Sequence, residues 1–223
     1  MLTSTRRRFA GHFTAMLVAV AAGTAMPVAA QGVSTTATPP VLLVLGDSLS
    51  AEYGIRRGSG WVALLEQRLV REKIPARVVN ASISGDTTSG GRARLPALLM
   101  QHRPGVVVIE LGGNDALRGL PLASTEANLR AMAQAAKAAG ARVLIAGMQI
   151  PPNYGRRYAE DFAAVFTKVA RSESTALLPF LLKGVADGPD ADAMFQPDRI
   201  HPVEAAHPTI LANVWPVLRP LLR

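Results

Sequence analysis

Three residues of this chain, Ser48, Asp198 and His201, could together make an alcohol react. A serine hydroxyl is a poor nucleophile until a base within hydrogen-bond reach takes its proton and a third group orients that base. Ser48 lies in Gly46-Asp47-Ser48-Leu49-Ser50, directly after the aliphatic run Val41 to Leu45. Such a run bounded by Gly reads as a buried strand of a parallel sheet. Open α/β sheets meet their ligands at the carboxyl ends of strands, which is where Ser48 falls. In Asp198-Arg199-Ile200-His201-Pro202 the spacing lets the carboxylate fold back onto the ring Nδ1–H. That fixes the tautomer and leaves Nε2 to take the Ser48 proton. Taken alone, a His-Pro pair in a C-terminal loop is more often structural; beside Asp198 and a strand-end serine, catalysis is favoured. Of the other histidines, His12 precedes the domain, His102 sits near a helix end and His207 lies beyond His201.

Acyl transfer also needs donors for the oxyanion that develops on the attacked carbonyl. Gly85, in Ser82-Ile83-Ser84-Gly85-Asp86-Thr87, follows a strand candidate, and its N–H can approach a substrate closely because it has no side chain. Asn114, in Gly112-Gly113-Asn114-Asp115, offers a neutral side-chain amide after another strand. Each alone has a plainer explanation, a turn glycine and a capping asparagine. Asp86 and Asp115 read as caps rather than catalytic acids.

These loops need a scaffold. Strands are expected at Val41–Leu45, Ala76–Asn80, Gly105–Ile109, Arg142–Ala146 and, weakly, Ala176–Leu178. Helices are expected over about residues 59–72, stopped by Pro75, then 93–101, 124–139 with Ser124 as N-cap and Gly140 as terminator, and 155–172. The last segment, 203–221, has helical spacing but holds Pro208, Pro216 and Pro220, so a broken helix is expected. Strands alternating with helices imply right-handed crossovers and a three-layer α/β/α sandwich with about five parallel strands.

The 223 residues suit one domain over 41–223, and 49% hydrophobic with 18% charged residues is a globular composition. With no cysteine, a disulfide framework, a thiol nucleophile and thiolate zinc sites are excluded. Arg6, Arg7 and Arg8 precede an apolar stretch from Phe13 to Ala22 and a small-residue run ending at Ala30. This is the pattern of a signal peptide over residues 1–30, by the Sec or the twin-arginine route, with periplasmic or secreted localisation expected. An uncleaved anchor is a lesser alternative. Residues 31–40, Thr-rich and ending in two prolines, read as a flexible tether. Removing three arginines and no acid lowers the formal charge from +8 to +5. The remaining +5 could favour an anionic membrane surface, but scattered charge is ordinarily solvated surface. No nucleic-acid partner is expected. No Gly-x-Gly-x-x-Gly fingerprint marks a dinucleotide site, and no Gly-x-Ser-x-Gly elbow surrounds Ser48.

The blocks at Gly46–Ser50, Gly85, Gly112–Asp115 and Asp198–His201 resemble, in order, the four blocks of the SGNH (GDSL-type) hydrolases. The chain is most similar to the branch of bacterial periplasmic thioesterase I / protease I / lysophospholipase L1 enzymes and arylesterases. Supporting stretches are Asn80–Thr87, Ala93–Leu99, Glu110–Asp115 and Pro152–Tyr158. The resemblance implies a flavodoxin-like sandwich and hydrolysis of acyl esters or thioesters. It gives Ser48, Asp198 and His201 the catalytic roles, and Ser48, Gly85 and Asn114 the oxyanion donors. It implies no metal and no cofactor. A monomer acting on a small acyl substrate, with transient contact with membrane lipid, is expected. The loop Ala116–Leu120 would move over bound acyl chains, with apolar side chains near Leu117 and Ile150 holding the tail. Two departures stand out: Glu52, where relatives often carry a small residue, and Met148-Gln149-Ile150, which replaces a stretch tending to Ile-Arg-Leu. A carbohydrate O-deacetylase of the same fold and a non-catalytic lipid carrier are the alternatives.

Overall fold

The computed structural model describes residues 39–223; the signal peptide expected over 1–30, and residues 31–38 of the tether, lie outside them. Five strands form one parallel sheet: β1 (Val41–Gly46), β2 (Arg77–Asn80), β3 (Val106–Glu110), β4 (Arg142–Ala146) and β5 (Ala176–Leu178), in the order β2-β1-β3-β4-β5. Every residue of β1 and β3 is buried, as unbroken aliphatic runs require when helices cover both faces. The helices are α1 (Trp61–Arg71), α2 (Thr88–His102), α3 (Gly113–Leu117), α4 (Leu122–Ala138), α5 (Arg156–Glu173) and α6 (His207–Leu218). One face carries α1 against α6; the other carries α2, α4 and α5 side by side. This is the expected α/β/α sandwich. Among the described residues no helix is long and apolar enough to cross a membrane.

The strand order explains where a site can form. From β1 the chain runs outward to β2, then returns to place β3 on the other side of β1. The loops leaving β1 and β3 therefore diverge and open a crevice between them at the carboxyl edge of the sheet. Ser48 lies on the first loop and Asn114 just after the second strand.

Packing supports the loop that leaves β3. Phe162 and Phe166 of α5 are fully buried and meet edge to face, centroids 5.2 Å apart, a geometry that adds about 0.5–1.5 kcal/mol beyond simple burial. Their rings lie under Gly112, which enters α3 with φ +124°; a Cβ there would stand 3.1 Å from Phe166 Cζ. Glycine is required at that position on both counts.

Three expectations are corrected. First, α2 begins at Thr88 rather than near residue 93, because the contacts of its first turn outweigh the low propensity of Ser89-Gly90-Gly91. Thr87 accepts the Gly90 N–H, and the Asp115 carboxylate accepts the Thr88 N–H at 2.8 Å. Gly91 lets the helix approach the residue that follows β3: a Cβ there would collide with Leu111 Cδ1. Second, α4 begins at Leu122 after Pro121, so Ser124 lies inside the first turn and is not the cap. Third, α1 ends at Arg71, ahead of Pro75, where Lys73 turns the chain with φ +54°. Near the C-terminus, α6 runs through Pro216 and short 3-10 turns flank it. Pro208 falls in its first turn, where a missing N–H costs least.

Candidate active site

Ser48 stands one residue past buried Asp47, on a tight turn in which the Ser50 and Ala51 N–H groups donate to Asp47 O at 3.2 and 3.0 Å. Its Oγ is 2.8 Å from His201 Nε2. His201 Nδ1 is 2.6 Å from Asp198 Oδ2. The relay expected from the sequence is thus assembled from loops 153 residues apart.

The Asp198–His201 loop owes its shape to more than spacing. Asp198 Oδ1 accepts the N–H groups of Ile200 at 2.9 Å and His201 at 3.0 Å. Arg199 takes φ +56°, turning the chain back, and Phe195 pairs with Pro202 in an antiparallel bridge. Burial pushes the Asp198 carboxyl up. The His201 N–H, the imidazole and the Ile200 N–H outweigh it and hold the group down at about 2. It is therefore a carboxylate at any working pH, able to stabilise an imidazolium.

Gly85 sits third in a four-residue turn closed by Asp86 N–H to Ile83 O at 3.1 Å, with φ +80°, a position that favours glycine. The N–H groups of Ser48 and Gly85 donate to no protein acceptor among the described residues, so both can serve a developing oxyanion. Asn114 differs. Its Nδ2 donates to Asp47 Oδ2 at 3.1 Å and to Asp86 O at 2.9 Å. The amide is oriented by these two acceptors, and a substrate oxygen would have to share or replace one of them. Burial drives the Asp47 carboxyl up to about 6 against the pull of the Leu49 N–H, the His201 charge and Asn114, with Asp86 adding to the rise.

Asp86 and Asp115, expected as caps, accept backbone N–H groups at the start of α2 and also join separate segments. Asp86 accepts the Thr87 N–H at 2.9 Å and pairs with Arg94 at 2.8 Å. Asp115 receives Thr88 from α2 and Thr125 from α4. Glu52 does not approach the reacting atoms. It takes φ +60° and its carboxylate accepts the Gly58 and Gly60 N–H groups, satisfying backbone donors ahead of α1. His207 Nδ1 accepts the next donor, Trp61 N–H, at 3.0 Å. Met148 and Ile150 are buried in the core, Gln149 is exposed, and Leu117 is half-buried.

Four neighbours escaped sequence reasoning. Tyr53 lays its ring beside the imidazole of His201, centroids 4.3 Å apart. Gln196 Nε2 donates to Tyr53 O at 2.9 Å and to Pro202 O at 3.1 Å, tying the Ser48 loop to the His201 loop. Arg94 reaches from α2 to Asp86 and to the carbonyls of Ala81 and Gly46. Arg118, beyond Asn114, donates to Gly85 O at 2.8 Å. Among the described residues no group of three or more His, Asp or Glu side chains is placed to hold a metal ion.

Residues 44–208 match the profile of the GDSL-like Lipase/Acylhydrolase family. The chain is 56% identical over 186 residues to esterase TesA of Pseudomonas aeruginosa PAO1, covering 83% of this chain and 91% of that one. It is 46% identical over 186 residues to thioesterase 1/protease 1/lysophospholipase L1 of Escherichia coli K12, covering 83% and 86%. Among solved structures, the psychrotrophic esterase EstA of Pseudoalteromonas, inhibited by monoethylphosphonate, superposes with a TM-score of 0.77 at 38% identity, covering 82% of this chain and 98% of that one.

Proposed function

This chain belongs to the GDSL-like lipase/acylhydrolase family and is a carboxylic-ester hydrolase, and from that premise we propose that it cleaves acyl esters and thioesters through an acyl-enzyme on Ser48. His201 Nε2 takes the Ser48 proton as Oγ attacks the carbonyl carbon. The Ser48 and Gly85 N–H groups and the Asn114 amide hold the oxyanion. The alcohol or thiol departs with the proton from His201, and water then attacks the acyl-enzyme by the same route in reverse. The observation that carries this reading is the continuous line of contacts from Ser48 Oγ through both ring nitrogens of His201 to Asp198.

Substrates are acyl esters of the aryl or lysophospholipid type and acyl-CoA-type thioesters, with the acyl group lying toward Leu117. The Arg118–Gly85 contact is the latch that a moving Ala116–Leu120 loop would release. The N-terminal pattern supports export, followed by action as a monomer in the periplasm or outside the cell, with transient contact with membrane lipid.

A chain-length series tests substrate class: p-nitrophenyl esters and acyl-CoA thioesters from C2 to C16, with lysophosphatidylcholine and an acetylated xylo-oligosaccharide. Rising kcat/KM beyond acetyl is expected. Turnover confined to acetyl groups would instead establish the deacetylase. Failure of a fluorophosphonate probe to label Ser48 would leave only the lipid carrier.

Asn114→Ala should lower kcat about 10²–10³-fold, the usual loss for one oxyanion donor, with KM little changed. Steady-state kinetics on a p-nitrophenyl ester reads this directly. A wild-type kcat in the variant would remove Asn114 from the oxyanion site.

A further inference from the structure

One buried acid at the site has no part in the steps above. Glu110, the last residue of β3, is 0% exposed. Its Oε2 accepts the Ser50 hydroxyl at 2.7 Å and the Asp47 N–H at 3.3 Å. Ser50 Oγ in turn accepts the Trp61 indole N–H at 3.1 Å. Asp47 precedes Ser48 and Ser50 follows it by two, so a single oxygen grips the turn on both sides of the serine.

The room for this carboxyl comes from Gly46. A Cβ there would lie 2.7 Å from Glu110 Oε2 and 2.8 Å from Ser50 Oγ. Gly46 does not have positive φ, so its glycine identity answers to the acid beneath it and not to backbone conformation.

As a purely structural choice Glu110 is a poor one. Its Oε1 is buried with no partner, and the Asp47 charge acts on it as well. An apolar side chain of similar volume ordinarily fills such a place at equal or better stability. Burial first, then the Asp47 charge, push the Glu110 carboxyl well above its ordinary range, against the Ser50 and Asp47 hydrogen bonds. The shift favours the uncharged acid over the carboxylate. An uncharged carboxyl still accepts from both donors, and it adds no second negative charge where the oxyanion forms.

We propose that Glu110 is a positioning residue: by holding Asp47 N–H and Ser50 Oγ it aims the Ser48 hydroxyl at His201 and the Ser48 N–H at the oxyanion. This rests on Ser48 being the nucleophile. The test uses Glu110→Gln, Glu110→Leu and Ser50→Ala in the mature chain. It measures kcat and KM on p-nitrophenyl butyrate and the rate of Ser48 labelling by a fluorophosphonate. Glu110→Gln keeps an uncharged acceptor and should stay within about threefold of wild-type kcat. Glu110→Leu should lose about 100-fold and Ser50→Ala about tenfold, because small misplacements of a reacting group cost that much, with KM unchanged and labelling slowed in step. Wild-type kcat in folded Glu110→Leu, or equal impairment of the Gln and Leu variants, overturns the proposal. Should Glu110→Leu fail to fold, wild-type kcat in Ser50→Ala does so. If the wild-type chain neither hydrolyses the ester nor labels at Ser48, the reading of Ser48 itself is what fails.

Discussion

Ser48→Ala is expected to hydrolyse p-nitrophenyl butyrate about 10⁴–10⁶ times more slowly than the wild-type chain, by analogy with loss of the nucleophile in other serine hydrolases. The serine Oγ makes one side-chain contact, to His201 Nε2, and removing it leaves the turn's other bonds in place. Leu49 N–H still reaches Asp47 Oδ1 at 3.1 Å, and Ser50 still reaches Glu110. The variant should therefore melt within a few degrees of the wild type while losing turnover, so that thermal denaturation and kinetics separate chemistry from folding. Residual rate would come from the oxyanion donors acting on a bound ester attacked by water. Unchanged turnover in a purified, folded Ser48→Ala protein would end the acyl-enzyme account.

Asp198→Asn is the second large effect, a fall of about 10²–10⁴-fold in kcat/KM. An Asn amide cannot supply the charge that steadies the imidazolium, and its NH₂ can favour the wrong ring tautomer. The pH behaviour follows from the carboxyl value of about 2. A lowered folded-state value means that the stabilising contribution is complete above the unfolded value, near 3.9, and disappears as pH falls toward 2. The difference in melting temperature between wild type and Asp198→Asn should therefore be constant from pH 8 to 5 and shrink between pH 4 and 2. Loss of activity on mild acidification cannot come from Asp198, whereas burial pushes the Asp47 carboxyl in the same site up to about 6. A variant with undiminished kcat/KM at neutral pH would reduce the triad to a Ser–His pair.

The parts of this molecule that could be read from sequence are those whose cause is local. Val41–Leu45 and Arg142–Ala146 are strands because unbroken aliphatic runs suit a sheet covered on both faces, and β4 has the expected bounds. Gly85 and Asp198 are legible because what each offers, a bare N–H after a strand and a carboxylate that folds back three residues, is decided locally; the positive φ of Gly85 is a finding of the structure. What escaped is decided at a distance. Gly90 and Gly91 argue against helix on propensity, yet α2 includes them because Asp115 and Leu111, far along the chain, anchor and fit its first turn. Ser124 has the chemistry of a cap but lies inside a helix that Pro121 opens. Gln196 matters only because its amide meets a carbonyl of the Ser48 loop 143 residues away. Asn114 was recognisable as a donor, but not that Asp47 and Asp86 already occupy it.

The reacting pair joins the first strand to one of the last loops. During biosynthesis the serine leaves the ribosome long before the imidazole proposed to activate it. Chains lacking the final quarter would carry the hydroxyl and the three proposed oxyanion donors but not the proposed base. A nascent or prematurely terminated chain would thus be unable to attack acyl groups around it. Hydrolytic competence should appear abruptly, with completion of the polypeptide.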